Sequence, residues 1–268
     1  MKAMSGQGGF RAAAGRVAIA VACALAAAPT AFAASCTVRS DAVRATVVEL
    51  YTSEGCSSCP PADRWLSGFA GRTSGTARVV PLAFHVDYWD DLGWPDRFAS
   101  PRNSARQRDR VRQSRGSFVY TPQTLVDGRD SAIWRQAKAP GEFPARAATA
   151  PGAELVLRVA AGKDGRVAVD LETKLAQESD SGHAVAYLAL YENGLVSHVR
   201  AGENSGRELR HDFVVRDWVG PLPIGAGAGT SHVFASSGIA LENAGVAAVV
   251  ESADGARVLQ GVSLPLCL

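Results

Sequence analysis

The sequence predicts an α/β domain over residues 34–150 followed by an all-β, sandwich-like domain over residues 151–268. Three observations carry this. Strand and helix signals alternate from residue 46 to about residue 135, the pattern of helices layered on a sheet. A stretch rich in Pro and Gly, Ala137 to Gly152, then reads as a linker. Beyond it, short apolar runs recur between Gly-containing turns. Composition is compatible with both domains, since 268 residues at 47% hydrophobic can bury real cores. With 28 basic residues against 26 acidic ones, the totals do not mark a polyanion binder. The 27 Gly and 13 Pro follow no fixed period, which excludes collagen-like chains and solenoids.

The first segment reads as an address. Lys2, Arg11 and Arg16 precede an apolar run, Val17 to Ala28, which ends at Pro29-Thr30 and the triplet Ala31-Phe32-Ala33. A short apolar run with basic residues before it and an A-x-A site after it predicts a signal peptide over residues 1–33. The run is shorter than the roughly 20 residues that span a bilayer. The expectation is therefore an exported chain, periplasmic or secreted, with no membrane span after cleavage. Two alternatives stand beside it: a retained anchor, and a weak lipoprotein signal acylated at Cys36. Cleavage lowers the net charge from +2 to −1 and the cysteines from five to four, because Lys2, Arg11, Arg16 and Cys23 leave. An even number of cysteines suits an oxidising compartment.

In the α/β segment, Thr46 to Tyr51 is a β-branched strand run, Ala62 to Phe69 can continue as a helix, and Val79 to Val86 is a buried-strand run. Ser104 to Ser114 lacks Gly and Pro and is rich in Arg and Gln, and Thr124 to Val126 gives a third strand closed by Asp127-Gly128. In the β segment the runs are Leu155 to Val159, Val167 to Leu171, Val185 to Tyr191, Val196 to Val199, Phe213 to Val215, Val246 to Val250 and Val258 to Leu264. Turns such as Lys163-Asp164-Gly165, Glu192-Asn193-Gly194 and Asp254-Gly255 separate them, which favours a sandwich.

The chemistry centres on Cys56-Ser57-Ser58-Cys59, where the first strand gives way to a helix. Unpaired backbone N–H groups and the positive end of the dipole at a helix start favour thiolate, the attacking species in disulfide exchange. This predicts Cys56 as the nucleophile and Cys59, less exposed, as the residue that resolves a mixed disulfide. A CxxC also serves as half of a zinc site, as an inert bridge, or as a Cu(I) site with His85 as third ligand. No second CxxC or spaced His pair supports zinc. Pro60-Pro61 removes two helix donors and predicts an irregular first turn.

Val48 to Cys59 resembles the strand, loop and CxxC of glutaredoxins and other thioredoxin-like proteins, and Tyr120 to Gly128 resembles the segment in which that fold holds a cis-proline opposite the CxxC. Glu54 to Asp63, Ala83 to Asp90, Phe98 to Pro101 and Gly202 to Arg207 together resemble an uncharacterised bacterial family of exported thioredoxin-like proteins, domain of unknown function 1223. The resemblance implies a thioredoxin-like fold for the first domain and no established substrate. It places Pro122 as the cis-proline, with the backbone of Thr121 free to pair with an extended substrate strand. The charged or aromatic residues common beside glutaredoxin cysteines are absent.

His85 and Asp87 end the second strand run, at the sheet edge where α/β proteins carry ligand sites. The expectation is that His85 stabilises the Cys56 thiolate or exchanges its proton, with Asp87 orienting the ring. Glu49 is expected to face solvent at a sheet edge, with a buried proton acceptor for Cys59 as the alternative. The aromatic loop Tyr88, Trp89, Leu92, Gly93, Trp94 and Pro95 either lines a cleft or packs on the second domain. The arginines from Arg102 to Arg115 read as a solvated helix face, with one or two paired to acids, and no aromatics are interleaved to stack on bases. Parity predicts a Cys36–Cys267 bridge.

The leading expectation is an exported thiol–disulfide redox protein acting through Cys56, Cys59, Thr121, Pro122 and His85. Its partner would be a protein or small thiol or disulfide, with no cofactor, no resident metal and no nucleic acid. A binding protein with a fixed Cys56–Cys59 bridge and a copper-handling protein are the alternatives.

Overall fold

The computed structural model describes residues 1, 3, 32–70, 79–143, 148–162, 164–224 and 229–268. The apolar run of the expected signal peptide lies outside them. In chain order the strands and helices are β1 (Phe32–Arg39), β2 (Thr46–Thr52), α1 (Pro60–Ser67), β3 (Val79–His85), α2 (Pro101–Gln113), β4 (Gln123–Val126), β5 (Arg129–Asp130), β6 (Ala153–Gly162), β7 (Arg166–Leu175), β8 (Ala184–Glu192), β9 (Leu195–His198), β10 (Glu208–His211), β11 (Val214–Pro223), β12 (Thr230–Ala235), β13 (Ala244–Ser252) and β14 (Val258–Pro265). The result is a mixed α/β protein dominated by strands, with two α-helices among the described residues.

An eight-stranded sheet runs β14-β13-β8-β11-β3-β2-β4-β5. Only β2 with β3 and β3 with β11 pair in parallel; the other neighbours are antiparallel. A separate antiparallel sheet runs β1-β6-β7-β12, and β9 and β10 form a two-stranded ribbon. The sheets are open, not closed into a barrel.

The eight-stranded sheet takes strands from both sides of residue 150. The β3–β11 junction is where they meet, with Val214 opposite Ala83 and the Ala83 N–H donating to the Phe213 carbonyl at 2.8 Å. Val79–His85 is apolar and buried almost throughout, so a free edge on β3 would leave unpaired peptide groups in the core. The expected sandwich thus shares its second sheet with the α/β segment. β1, from the N-terminal side, in turn pairs with β6 through Ala34 to Arg39 against Val156 to Ala161.

Strand alternation divides the core in two. On β8, Ala186, Leu188 and Leu190 pack toward the four-stranded sheet, while Ala189 and Tyr191 face the opposite side. On β13, Val246, Ala248 and Val250 point one way and Ala247 and Val249 the other. Burial on both faces explains why both strands read as unbroken apolar runs. The first core lies between the two sheets, and the second carries α1 through Ala62, Trp65, Leu66 and Phe69. The described residues from Phe32 onward belong to one compact unit. A Cys36–Cys267 disulfide, Cα to Cα 5.9 Å, joins its ends as parity predicts.

Candidate functional site

β2 carries the chain to Thr52, and Ser53 to Gly55 turn it toward α1. The Cys56 N–H donates to the Ser53 carbonyl at 3.2 Å and the Cys59 N–H to the Cys56 carbonyl at 3.2 Å. Cys59 caps α1, and Pro60 and Pro61 fill its first two positions. Those positions have no intrahelical acceptor for an N–H, so the prolines cost no hydrogen bond. The first turn is regular, contrary to the expectation from Pro-Pro: Ala62 and Asp63 both donate to the Cys59 carbonyl, at 2.9 and 3.1 Å.

Cys56 and Cys59 are joined in a disulfide, Cα to Cα 5.4 Å. Both residues are 0% exposed, although Ser57 and Ser58 between them face solvent. An exposed Cys56 ahead of a sheltered Cys59 is therefore not what this oxidised form presents. The turn between β9 and β10 is bonded to this segment. Asn204, itself buried, donates through Nδ2 to the carbonyls of Glu54 at 2.8 Å and Cys56 at 2.9 Å, and the Ser57 N–H donates to Glu203 Oε2 at 3.0 Å.

His85 stands at the end of β3 and is fully buried, but Asp87 does not orient it. His85 Nδ1 lies 2.6 Å from Asp96 Oδ2, while Asp87 accepts from the Ser104 hydroxyl in a short hydrogen bond. The chain leaves the strand at Val86, which turns Asp87 toward α2. The loop Trp89 to Ala99 then returns Asp96 beneath the CxxC turn, where its carboxylate also accepts from the Glu54 and Phe98 N–H groups, each at 2.9 Å. Burial opposes charge on the His85 ring, but the Asp96 carboxylate, reinforced by Asp63 and Glu54, prevails and raises its pKa above the ordinary value. Asp96 is lowered: burial works against its ionised form and His85 outweighs that.

Three further groups complete this buried set. Asp63, one helical turn after Cys59, has its pKa raised, chiefly by burial. His211 on β10 stacks edge-on against His85, ring centroids 4.9 Å apart, and its Nε2 lies 3.4 Å from Glu54 Oε1. Trp94 Nε1 donates to Glu54 Oε2 at 2.7 Å. Within this set His85 Nε2 and His211 Nδ1 are buried without a hydrogen-bond partner.

The Thr121–Pro122 peptide is cis. Trp89 links this segment to the CxxC turn: its Nε1 donates to Thr121 Oγ1 at 2.8 Å, and a Cβ placed on Gly55 would lie 3.2 Å from Trp89 Cβ. The aromatic loop thus packs on both sides of the junction, with Tyr88 bonded to Gln107 on α2 and Leu92 left exposed.

Glu49 corrects a sequence expectation, because it is buried. Arg106 pairs with it through a short contact, and Arg110 Nε donates to Glu49 Oε2 at 3.2 Å while its two terminal nitrogens hold Glu251 on β13 at 2.7 and 2.6 Å. Burial would raise the Glu49 pKa, but the two guanidinium groups bring it down to about 2. The arginine run is thus only partly a solvated face: Arg106 and Arg110 turn inward, and Arg106 also lies over the rings of Phe84, Tyr187 and Trp218. Among the described residues, no three His, Cys, Asp or Glu side chains are grouped to hold a metal ion.

Glu54 and Gly202 to Arg207 were visible in the sequence as parts of a family resemblance, without a role. Asp96 and His211 gave no signal, since a single acid in a loop and a single His in a short strand carry no spacing pattern.

A family model described as a protein of unknown function, DUF1223, matches residues 47–251, spanning β2, the CxxC, the turn between β9 and β10 and β13. The chain belongs to this family. Among solved structures, this DUF1223 protein is similar to protein AGR_C_4864 from Agrobacterium tumefaciens at 25% identity and a TM-score of 0.55, covering 84% of this chain and 95% of that one. It is also similar in fold to HBP35 of Porphyromonas gingivalis at 14% identity and a TM-score of 0.58, covering 85% of this chain and 76% of that one. No curated protein matches the chain. Two disulfides point to an oxidising compartment, and no helix among the described residues is long and apolar enough to cross a membrane.

Proposed function

We propose that this DUF1223 protein is an exported, thioredoxin-like thiol–disulfide redox protein whose working pair is Cys56 and Cys59. The observation that carries the reading is the position of the Cys56–Cys59 bridge. It closes the turn between a central strand and α1, over a buried set of carboxylates and imidazoles. A bridge spanning so few residues gives little chain-entropy stabilisation, which leaves its chemistry as the reason for its place.

In the oxidised form, a partner thiolate attacks the Cys56 sulfur and expels Cys59 as thiolate. The partner's second thiolate then attacks its own sulfur in the mixed disulfide and expels Cys56. Two electrons pass from partner to CxxC, and the partner's two thiol protons end on Cys56 and Cys59. The reverse sequence reduces a partner disulfide, and relative potentials set the direction. In this reading Asp63, one helical turn after Cys59, and His85 are the buried groups that accept or return the protons. Thr121 and Pro122 lie outside the strands, just before β4, and border the site through Trp89; in this reading Thr121 offers its backbone to the partner.

Titrating the protein against glutathione buffers tests the reading, together with trapping by Cys59→Ala. The proposal expects a potential well above about −300 mV and a stable mixed disulfide on Cys56 in the variant. A potential far below that value, with no trapped adduct, would identify an inert bridge. That second reading, a binding protein with a fixed CxxC, draws its support from the complete burial of both cysteines.

A further inference from the structure

We propose that the turn Gly202–Gly206, between β9 and β10, is a latch over the Cys56–Cys59 bridge, and that its release controls access to the bridge. The inference rests on the exchange reading for its biological use, but the latch itself is a property of the fold.

Three hydrogen bonds cross from the turn to the CxxC segment, two from Asn204 Nδ2 and one into the Glu203 carboxylate. They take up the carbonyls on either side of Gly55 and the N–H of Ser57. Asn204 is held in turn by Arg207 Nη1, which donates to its Oδ1 at 3.0 Å. Gly202 has φ +70, and a Cβ there would lie 3.1 Å from Trp94 Cβ, so both the backbone conformation and the close approach to the aromatic loop favour glycine at this position. Both cysteines are fully buried with the turn seated on this segment, while Ser57 and Ser58 stay exposed and the Ser58 hydroxyl lies 3.3 Å from the Cys56 sulfur.

The latch is also built to move. β9 and β10 pair only with each other, four residues against four, and belong to neither larger sheet. β10 is anchored through the buried Leu209 and His211, but the tip from Ala201 to Arg207 is exposed apart from Asn204, so lifting the tip alone need not disturb either core. Exchange requires a thiolate to reach sulfur along the bond it will break, which the closed turn prevents. The observed rate is then the rate of the open form multiplied by its population. Glu203 adds a charge effect, since its carboxylate occupies the Ser57 N–H that would otherwise favour thiolate on Cys56.

The test is the rate at which a water-soluble phosphine reduces the Cys56–Cys59 bridge in the oxidised full chain. Each bridge is followed separately by alkylation and peptide mass. Asn204→Ala removes two hydrogen bonds and is expected to accelerate reduction of Cys56–Cys59 about 30-fold, and Glu203→Ala about fivefold, with Cys36–Cys267 unchanged in both. Glu203 is on the surface, so its variant decides the matter if Asn204→Ala does not fold. Unchanged Cys56–Cys59 rates in folded variants overturn the latch, and so does equal acceleration of both bridges, which would mean global opening. Failure of the exchange reading shows instead in the wild-type potential and the Cys59→Ala trap, neither of which depends on these rates.

Discussion

Cys36 and Cys267 are 231 residues apart in sequence and join the chain ends, with Cys267 exposed; Cys56 and Cys59 are three apart and have no exposed surface. Loop-closure entropy assigns about 5 kcal/mol of stabilisation to the first bridge and about 2 kcal/mol to the second. On the proposed function the accessible disulfide is the structural one, and the working pair is buried. Exposure alone would have ranked them in reverse. What separates them is the environment: the end bridge ties β1 to the segment after β14, whereas the local bridge caps a helix over buried ionisable groups and lies under a turn that can lift.

The largest expected effect breaks this comparison on its structural side. Cys36→Ala/Cys267→Ala should lose about 5 kcal/mol of unfolding free energy, measured by denaturant titration, and keep its Cys56–Cys59 potential. A smaller loss than for the local pair would invert the assignment of roles. Next comes Cys56→Ala/Cys59→Ala, expected to lose about 2 kcal/mol and all exchange with a dithiol partner. Retained exchange in that variant would transfer the chemistry to the end bridge.

Much of this contrast was legible in the sequence. The CxxC, its helix, the strands β2, β3, β8, β13 and β14 and the pairing of Cys36 with Cys267 follow from apolar runs, spacing and parity. The missing pieces share a physical cause, which is long-range pairing. β12 fully buries only Phe234, and β10 is four residues long, so neither carries an apolar run that stands apart from a loop. Glu49 illustrates the same limit. An acid within an apolar strand gives no indication of which cations will reach it, and Arg106 and Arg110 arrive from 57 and 61 residues away. His85 was found as a candidate, but its partner was taken as the acid two residues on, not Asp96, which the following loop folds back.

The buried pair beneath the local bridge offers the smallest and most specific test. Asp96 is held below its ordinary 3.8, so its share of stability is present above that pH and is lost as pH falls through the lowered value. His85 is held above its ordinary 6.5, so its share is present below that pH and is lost as pH rises through the raised value. Both shares coexist between 3.8 and 6.5. Asp63 is also raised, because burial penalises its ionised form, and its share is lost as pH rises from 3.8 through the raised value. Thermal unfolding of the oxidised protein should accordingly give a melting temperature lower by about 3 °C at about pH 8 than at about pH 5.5. Asp96→Asn removes the charge that raises His85 and should flatten this decline, while Cys36→Ala/Cys267→Ala should leave its slope intact. An unaltered slope in Asp96→Asn would mean that the titrating group lies elsewhere, and the ionisable set beneath the CxxC would lose its claim to distinguish one bridge from the other.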